Sequence, residues 1–186
     1  INTKPFKFED SDGYIRFTEA LNKVKLDTDT IIYIENSQSY PLEFFKFIED
    51  ITELKFSSGD NIRTFNIPLL LSEITRKLSR DLHTADTLIV CDSYEKIIEI
   101  IKRLSNVINF FTVIGVDSSK KEDVYNNVFE STGISIFQPN NIEKIIKNYS
   151  TIINTMEEIS FDIGNIRNQS IIIDFSCNKP FKNIIN

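Results

Sequence analysis

Five short polar stretches each follow an apolar run: Asn36-Ser37-Gln38-Ser39-Tyr40, Cys91-Asp92-Ser93, Asp117-Ser118-Ser119-Lys120, Gln138-Pro139-Asn140-Asn141 and Ser176-Cys177-Asn178-Lys179. Their amides, hydroxyls and carboxylates suit a small polar or anionic ligand. The free N–H groups of a following helix would add to such a site. Asn36, Ser37, Gln38 and Ser39 are the strongest candidates, because Pro41 already sets a helix start and leaves four polar side chains in a row without a capping duty. Asp92, Ser93, Asp117 and Ser118 complete the candidate ligand-binding set. Here capping competes. Asp92 with Glu95 fits a capping box in the wider sense, Ser119 with Glu122 the strict form, and Asn140 with Glu143 a looser one. A cap contributes about 0.5–2 kcal/mol, which accounts for such residues without any ligand.

Other chemistries compete for the same loops. Cys91 and Cys177 both close apolar runs, an arrangement similar to that of the racemases that use a cysteine pair as acid and base. The Asn-Thr and Thr-His neighbours of that family are missing, so burial as small hydrophobes is the expected role. Glu35, Asp92, Asp117 and Asp174 also end apolar runs, and hard carboxylate oxygens suit Mg²⁺; no metal site is assigned to them. LIVCDS (88–93) resembles the LIVDDS opening of response-regulator receivers, with Cys91 in place of the first acid. In a receiver, a later strand would end in the phosphorylated Asp. ISIFQPN instead ends in Gln138 and Pro139, so a working receiver is not expected.

Absences narrow the field further. The glycines are Gly13, Gly59, Gly115, Gly133 and Gly164, too far apart for G-x-G-x-x-G, and no G-x-x-x-x-G-K-[ST] occurs. His83, the sole histidine, precedes a strand and so belongs at the edge away from the candidate loops. A Ser–His–Asp triad or a His-based zinc site is therefore not expected. G-x-S-x-G is absent as well.

The elements that must position these loops alternate. IIYIEN (31–36), IRTFNI (62–67), TLIVCD (87–92), FFTVIGVD (110–117), ISIFQ (134–138) and SIIIDFS (170–176) predict strands. PLEFFKFIEDITEL, LLLSEITRKLSRDL, the segment with Ile97, Ile101, Leu104 and Ile108, KKEDVYNNVFES and NIEKIIKNYSTIINTM predict helices. EEISFDIGNIRNQ (157–169) is either an extra strand or a surface excursion. KPFKFEDSDGYIRF predicts a hairpin around Ser11-Asp12-Gly13, followed by a short helix over Phe17–Val24. Nearly continuous apolar strands belong in a parallel sheet covered on both faces. The expectation is an α/β three-layer sandwich, flavodoxin-like or Rossmann-like, with a mostly parallel sheet of five or six strands. It forms a single domain over residues 1–186, with residues 1–29 as a hairpin-like extension packed on it. In such a sheet ligands bind beyond the carboxyl ends of the strands.

Composition sets the remaining bounds. At 186 residues, with 41% apolar and 26% charged residues, the chain is long enough and apolar enough for a core of its own. Its net charge of −6 argues against a nucleic-acid partner, which calls for a basic face. No apolar run approaches the roughly 20 residues that cross a bilayer. Two cysteines are too few for a disulfide framework, and the cytoplasm is the expected compartment. The start at Ile1, the polar opening INTKPFKFED and the hairpin-like extension suit a piece of a larger protein or assembly. Phe44, Phe45 and Phe47 surround one helix and point either to broad burial or to a partner or homodimer face. Missing glycine motifs and the badly placed His83 lead to a non-catalytic regulatory or assembly domain, a degenerate enzyme relative. The alternative is an enzymatic or small-molecule domain that takes an anionic ligand on the strand-end loops.

Overall fold

The computed structural model describes residues 11–24, 26, 27, 29–34, 42–57, 59–176 and 178–182. The candidate residues Asn36, Ser37, Gln38 and Ser39 lie outside the described residues, as do Glu35 and Cys177. Internal contacts divide the chain into two compact units, Ile1–Asn61 and Ile62–Asn186.

The first unit holds helix α1 (Ser11–Val24), strand β1 (Ile31–Tyr33), helix α2 (Leu42–Thr52) and strand β2 (Lys55–Ser57). The expected hairpin fails in its described half, since Ser11–Phe17 are the opening turns of α1. Alternation of apolar and polar residues over so few positions does not separate a strand from a helix. Tyr14, Phe17 and Leu21 recur at helical spacing and pack on one cluster with Phe44 and Ile48, which overrides the local pattern. β1 and β2 pair in parallel, with Ile31 opposite Lys55. Phe44 is fully buried, and Phe45 and Phe47 pack on the same cluster. The Phe44 ring meets Tyr14, Phe17 and Phe45 edge-on, at centroid distances of 5.2, 5.3 and 5.4 Å. Edge-on pairs add roughly 0.5–1.5 kcal/mol beyond area burial. Broad burial therefore accounts for these three phenylalanines.

The second unit holds most of helix α3 (Asp60–Lys77), then β3 (Asp86–Val90), α4 (Tyr94–Leu104), β4 (Phe110–Ile114), α5 (Lys121–Thr132), β5 (Ile136–Phe137), β6 (Thr151–Asn154) and β7 (Ile171–Asp174). The five strands β3–β7 form one parallel sheet in the order β5-β4-β3-β6-β7. The α/β three-layer expectation is met. The order also separates its two forms. Counted from β3, it is 3-2-1-4-5, the Rossmann order, and not the 2-1-3-4-5 of flavodoxin and the receivers.

Two elements differ from the sequence reading. Ile62–Ile67 is not a strand but the first turns of α3, which runs on through Pro68. The spacing of Ile67, Leu71 and Ile74 on one apolar face decides it, against the β-branched composition. The helix expected from NIEKIIKNYSTIINTM is a single 3₁₀ turn, Ile146–Asn148, followed by β6. There Thr151-Ile152-Ile153 takes a place between β3 and β7, with every residue from Thr151 to Asn154 buried. A slot between two strands rewards β-branched residues more than a helix does. Residues 157–169 are a surface excursion without strand or helix.

The two sheet faces are covered differently. Ile89, Cys91, Phe111, Val113 and Ile153 pack with α3, α4 and α5. Leu88, Val90 and Ile152 pack instead with Ile142, Ile146, Tyr149, Ile166 and Phe181, from the 3₁₀ turn and the irregular segments. Tyr149 adds a buried hydrogen bond, its hydroxyl donating to Thr112 Oγ1 at 3.0 Å. Among the described residues no helix is long and apolar enough to cross a membrane.

Candidate functional site

The sheet reverses direction of winding between β3 and β6. From β3 the chain moves through β4 to β5, then returns across β3 to form β6 and β7. Loops that leave adjacent strands in opposite senses part there and open a crevice at the carboxyl edge. Three backbone bonds hold that edge one residue past the strands. The N–H groups of Cys91, Thr155 and Phe175 donate to the carbonyls of Ile114, Val90 and Asn154 at 3.0, 3.0 and 2.9 Å.

A cavity of about 320 Å³ lies at this edge. Val90, Ile114 and Gly115 come from the ends of β3 and β4, Pro139, Asn140, Asn141, Ile142 and Glu143 from beyond β5, and Met156, Ile159, Ser160 and Phe161 from beyond β6. Its size is that of a small ligand pocket, and its lining of apolar side chains with a few amides, a hydroxyl and a carboxylate is the usual composition of one. A larger groove of about 490 Å³ lies at the opposite edge, around Asp86, Phe110, Phe137 and Tyr149. It is at the amino ends of the strands, where open α/β sheets do not place their ligands.

Two residues that the sequence reading did not single out shape the cavity. Gly115 has φ +100°, and a Cβ built on it would stand 2.6 Å from Met156 Sδ and 2.8 Å from the Cys91 carbonyl oxygen. Only glycine lets the β4 loop cross so close to the end of β3. Asn154 is fully buried. Its Nδ2 donates to the Met156 carbonyl and to Asp174 Oδ1, both at 2.9 Å, and its Oδ1 accepts the Met156 N–H at 3.1 Å. It thereby fixes the loop that carries Met156 and Ser160. The signal for Gly115 was a glycine inside the apolar run FFTVIGVD (110–117), where a strand gives way to a close backbone approach. Asn154 gave none, being read into a helix.

The predicted site residues separate into distinct roles. Asp92 is exposed and is not the cap of α4. Ser93 is, its Oγ accepting the Lys96 N–H at 3.4 Å and donating to Glu95 Oε2 at 3.1 Å. Glu95's own backbone N–H and the Ser93 hydroxyl hold its carboxyl below the usual range. Asp117 caps the 3₁₀ turn Ser118–Lys120, its Oδ1 accepting from the N–H and hydroxyl of Ser119 at 2.8 and 2.6 Å. The same two donors hold its carboxyl below the usual range. Ser118 is exposed in that turn. The Ser119–Glu122 capping box does not form, because α5 starts at Lys121 without a side-chain cap. Asn140–Glu143 precedes no α-helix, and these residues wall the cavity instead. Asp174 Oδ1 is taken by Asn154 and by the Ser176 N–H and hydroxyl at 3.0 and 2.6 Å. Among the described residues no group of three or more His, Cys, Asp or Glu could hold a metal ion.

Cys91 is buried, and its thiol lies 3.4 Å from the Ser93 carbonyl, to which it donates. Burial pushes the thiol pKa up, so the thiolate needed for nucleophilic or acid–base work is suppressed. In a Cys177→Ser background, Ellman's reagent should leave the folded protein unlabelled over the period in which the urea-unfolded protein reacts fully. Fast labelling of the native state would contradict this placement.

No protein-family model matches the sequence, and no curated protein matches it. Solved structures do. L-tryptophan dehydrogenase from Nostoc punctiforme is similar with a TM-score of 0.58 and 14% identity, over 97% of this chain and 51% of that one. A dipicolinate synthase subunit from Bacillus halodurans matches at a TM-score of 0.45 and 14% identity, over 82% of this chain and 53% of that one. Δ1-pyrroline-2-carboxylate reductase from Thermococcus litoralis, in complex with NADH and L-proline, matches at 0.47 and 16%, over 62% and 36%. The chain spans about half the length of the tryptophan dehydrogenase. At these identities the likeness shows the fold, a mostly parallel α/β sheet. It also corrects the expectation of a non-catalytic regulatory or assembly domain. A structure that shares the fold over nearly the whole chain is an enzyme, a dehydrogenase.

Proposed function

We propose that residues 62–186 bind a small molecule in the cavity beyond the carboxyl ends of β3, β4 and β6, as a ligand-binding or catalytic domain of enzymatic type. The observation that carries this reading is the coincidence of a pocket of ligand size with the switch-point edge of a 3-2-1-4-5 sheet. The enzymatic half rests on fold likeness to a dehydrogenase and is an analogy. Asp92, Ser93, Asp117 and Ser118 border the same edge and act through the shape of its loops, since their polar groups cap turns or face solvent. A free, buried Cys91 fits a reducing compartment, the cytoplasm.

A thermal-shift panel of nucleosides, nucleotides, amino acids and small carboxylic acids tests it. Ile114→Trp, which fills the cavity from its sheet side, is the companion variant. A ligand at a hundred times its Kd adds about 2.7 kcal/mol, or a rise in Tm of roughly 5–10 °C. At least one class should raise the Tm of the wild type and not that of Ile114→Trp. A panel without effect, or equal shifts in both proteins, would sink the reading.

A further inference from the structure

We infer that the ligand of this cavity is a nucleoside without phosphate, its base held between the apolar walls and its ribose at Glu143. This rests on the small-molecule reading above and narrows it away from an anionic ligand. Sheets of this order seat a nucleotide at the switch point, its pyrophosphate on the N-terminus of the helix that follows the first strand. In this chain that helix is α4, and its N-terminus is occupied from within. Ser93 Oγ accepts the Lys96 N–H, and the Glu95 carboxylate accepts from the Ser93 hydroxyl. Glycines that would let a pyrophosphate reach the backbone are replaced by Cys91, Asp92 and Ser93. Asp92 and Glu95 add two exposed carboxylates at that N-terminus, and like charges there oppose a phosphate. Lys120, close enough to act on Glu95, offsets part of that charge.

The cavity keeps what the rest of a nucleoside needs. Val90, Ile114 and Phe161 offer apolar surface to a planar base. Asn141 carries an amide of the kind that pairs with the adenine N6 and N7 edge, as does Asn140, whose Oδ1 also accepts from Lys121 Nζ at 3.4 Å. Glu143 supplies a carboxylate, the group that takes ribose hydroxyls in dinucleotide folds. It accepts the Asp162 N–H at 3.4 Å, which leaves its second oxygen for a ligand hydroxyl.

Isothermal titration with adenosine, AMP, ADP and NAD⁺ decides it. Adenosine should bind, each phosphate should weaken binding, and ADP should bind about tenfold or more weaker, equivalent to at least about 1.4 kcal/mol. Glu95→Ala should narrow the gap between adenosine and ADP and leave adenosine affinity unchanged. If ADP or NAD⁺ binds as tightly as adenosine, and Ile114→Trp abolishes that binding, the inference is overturned while the small-molecule reading stands. The same outcome follows if none of the four binds but another class in the thermal panel stabilises the wild type and not Ile114→Trp. Silence of the entire panel removes both.

Discussion

Gly115→Ala is expected to lower the melting temperature by roughly 6–12 °C, the equivalent of about 3 kcal/mol. The added methyl would meet two different neighbours. Met156 Sδ, at 2.6 Å, is the end of a flexible side chain and can move aside. The Cys91 carbonyl oxygen, at 2.8 Å, is backbone at the closing rung of the β3–β4 ladder, tied by the Cys91 N–H to Ile114. It cannot move without loosening the sheet edge, and a φ of +100° is strained for alanine even with room. Gly133 is the matched control. It ends α5 at φ +72° with nothing within 4 Å of a built Cβ, so Gly133→Ala should cost only the backbone term, about 1–2 kcal/mol. Differential scanning calorimetry of the two variants separates conformation from contact. Equal losses would show that the approach of β4 to β3 is looser than described.

Asn154→Asp should destabilise the protein in a strongly pH-dependent way. Asn154 is fully buried, and its Nδ2 donates to Asp174 Oδ1. A carboxylate in its place would put a buried negative group against the half-buried Asp174, at a cost of about 3–5 kcal/mol near neutral pH. Burial and the neighbouring Asp174 both disfavour the charged form, so the new carboxyl would have its folded-state pKa raised above the unfolded value of about 3.9. The sign follows. Below the unfolded pKa both states hold the proton, and the variant, with one O–H in place of the two N–H donors of Asn154, recovers part of the wild-type stability. As pH rises the unfolded chain releases its proton first, and stability is lost until the folded pKa is passed. Urea unfolding at pH 4, 5.5 and 7.5 reads this against the wild type. A loss independent of pH would mean that position 154 is not sealed from water.

How much of this was legible in the sequence varies with the length of the signal. The strand, turn and helix of LIVCDSYEKIIEIIKRL were plain, because the apolar run Leu88–Cys91 and the helical recurrence of Ile97, Ile101 and Leu104 each exceed local noise. Shorter segments failed. IRTFNI has strand composition, yet Ile67 shares a helical face with Leu71 and Ile74, and only the finished core reveals it. TIIN belonged to a helical pattern until β3 and β7 offered it a slot between them. That one misreading concealed the site. With a helix drawn through residues 141–156, neither the turn held by Asn154 nor the wall carrying Met156 and Phe161 could be placed. Capping was underestimated in one loop and misassigned in another. Ser93, not Asp92, caps α4, and Asp117 is consumed by its own turn. Which end of the sheet is the carboxyl edge was nevertheless legible, because the direction of parallel strands is fixed by chain order alone.

The most direct test of a ligand cavity at the switch point is an amide NMR titration of the wild-type protein with mixtures drawn from the thermal panel. Binding in the cavity predicts shifts that cluster on Gly115, Asn140, Asn141, Met156 and Ser160, with Asp86, Phe110 and Phe137 at the far edge unmoved. Shifts centred on that far groove, or no residue-specific shift with any mixture, would contradict it.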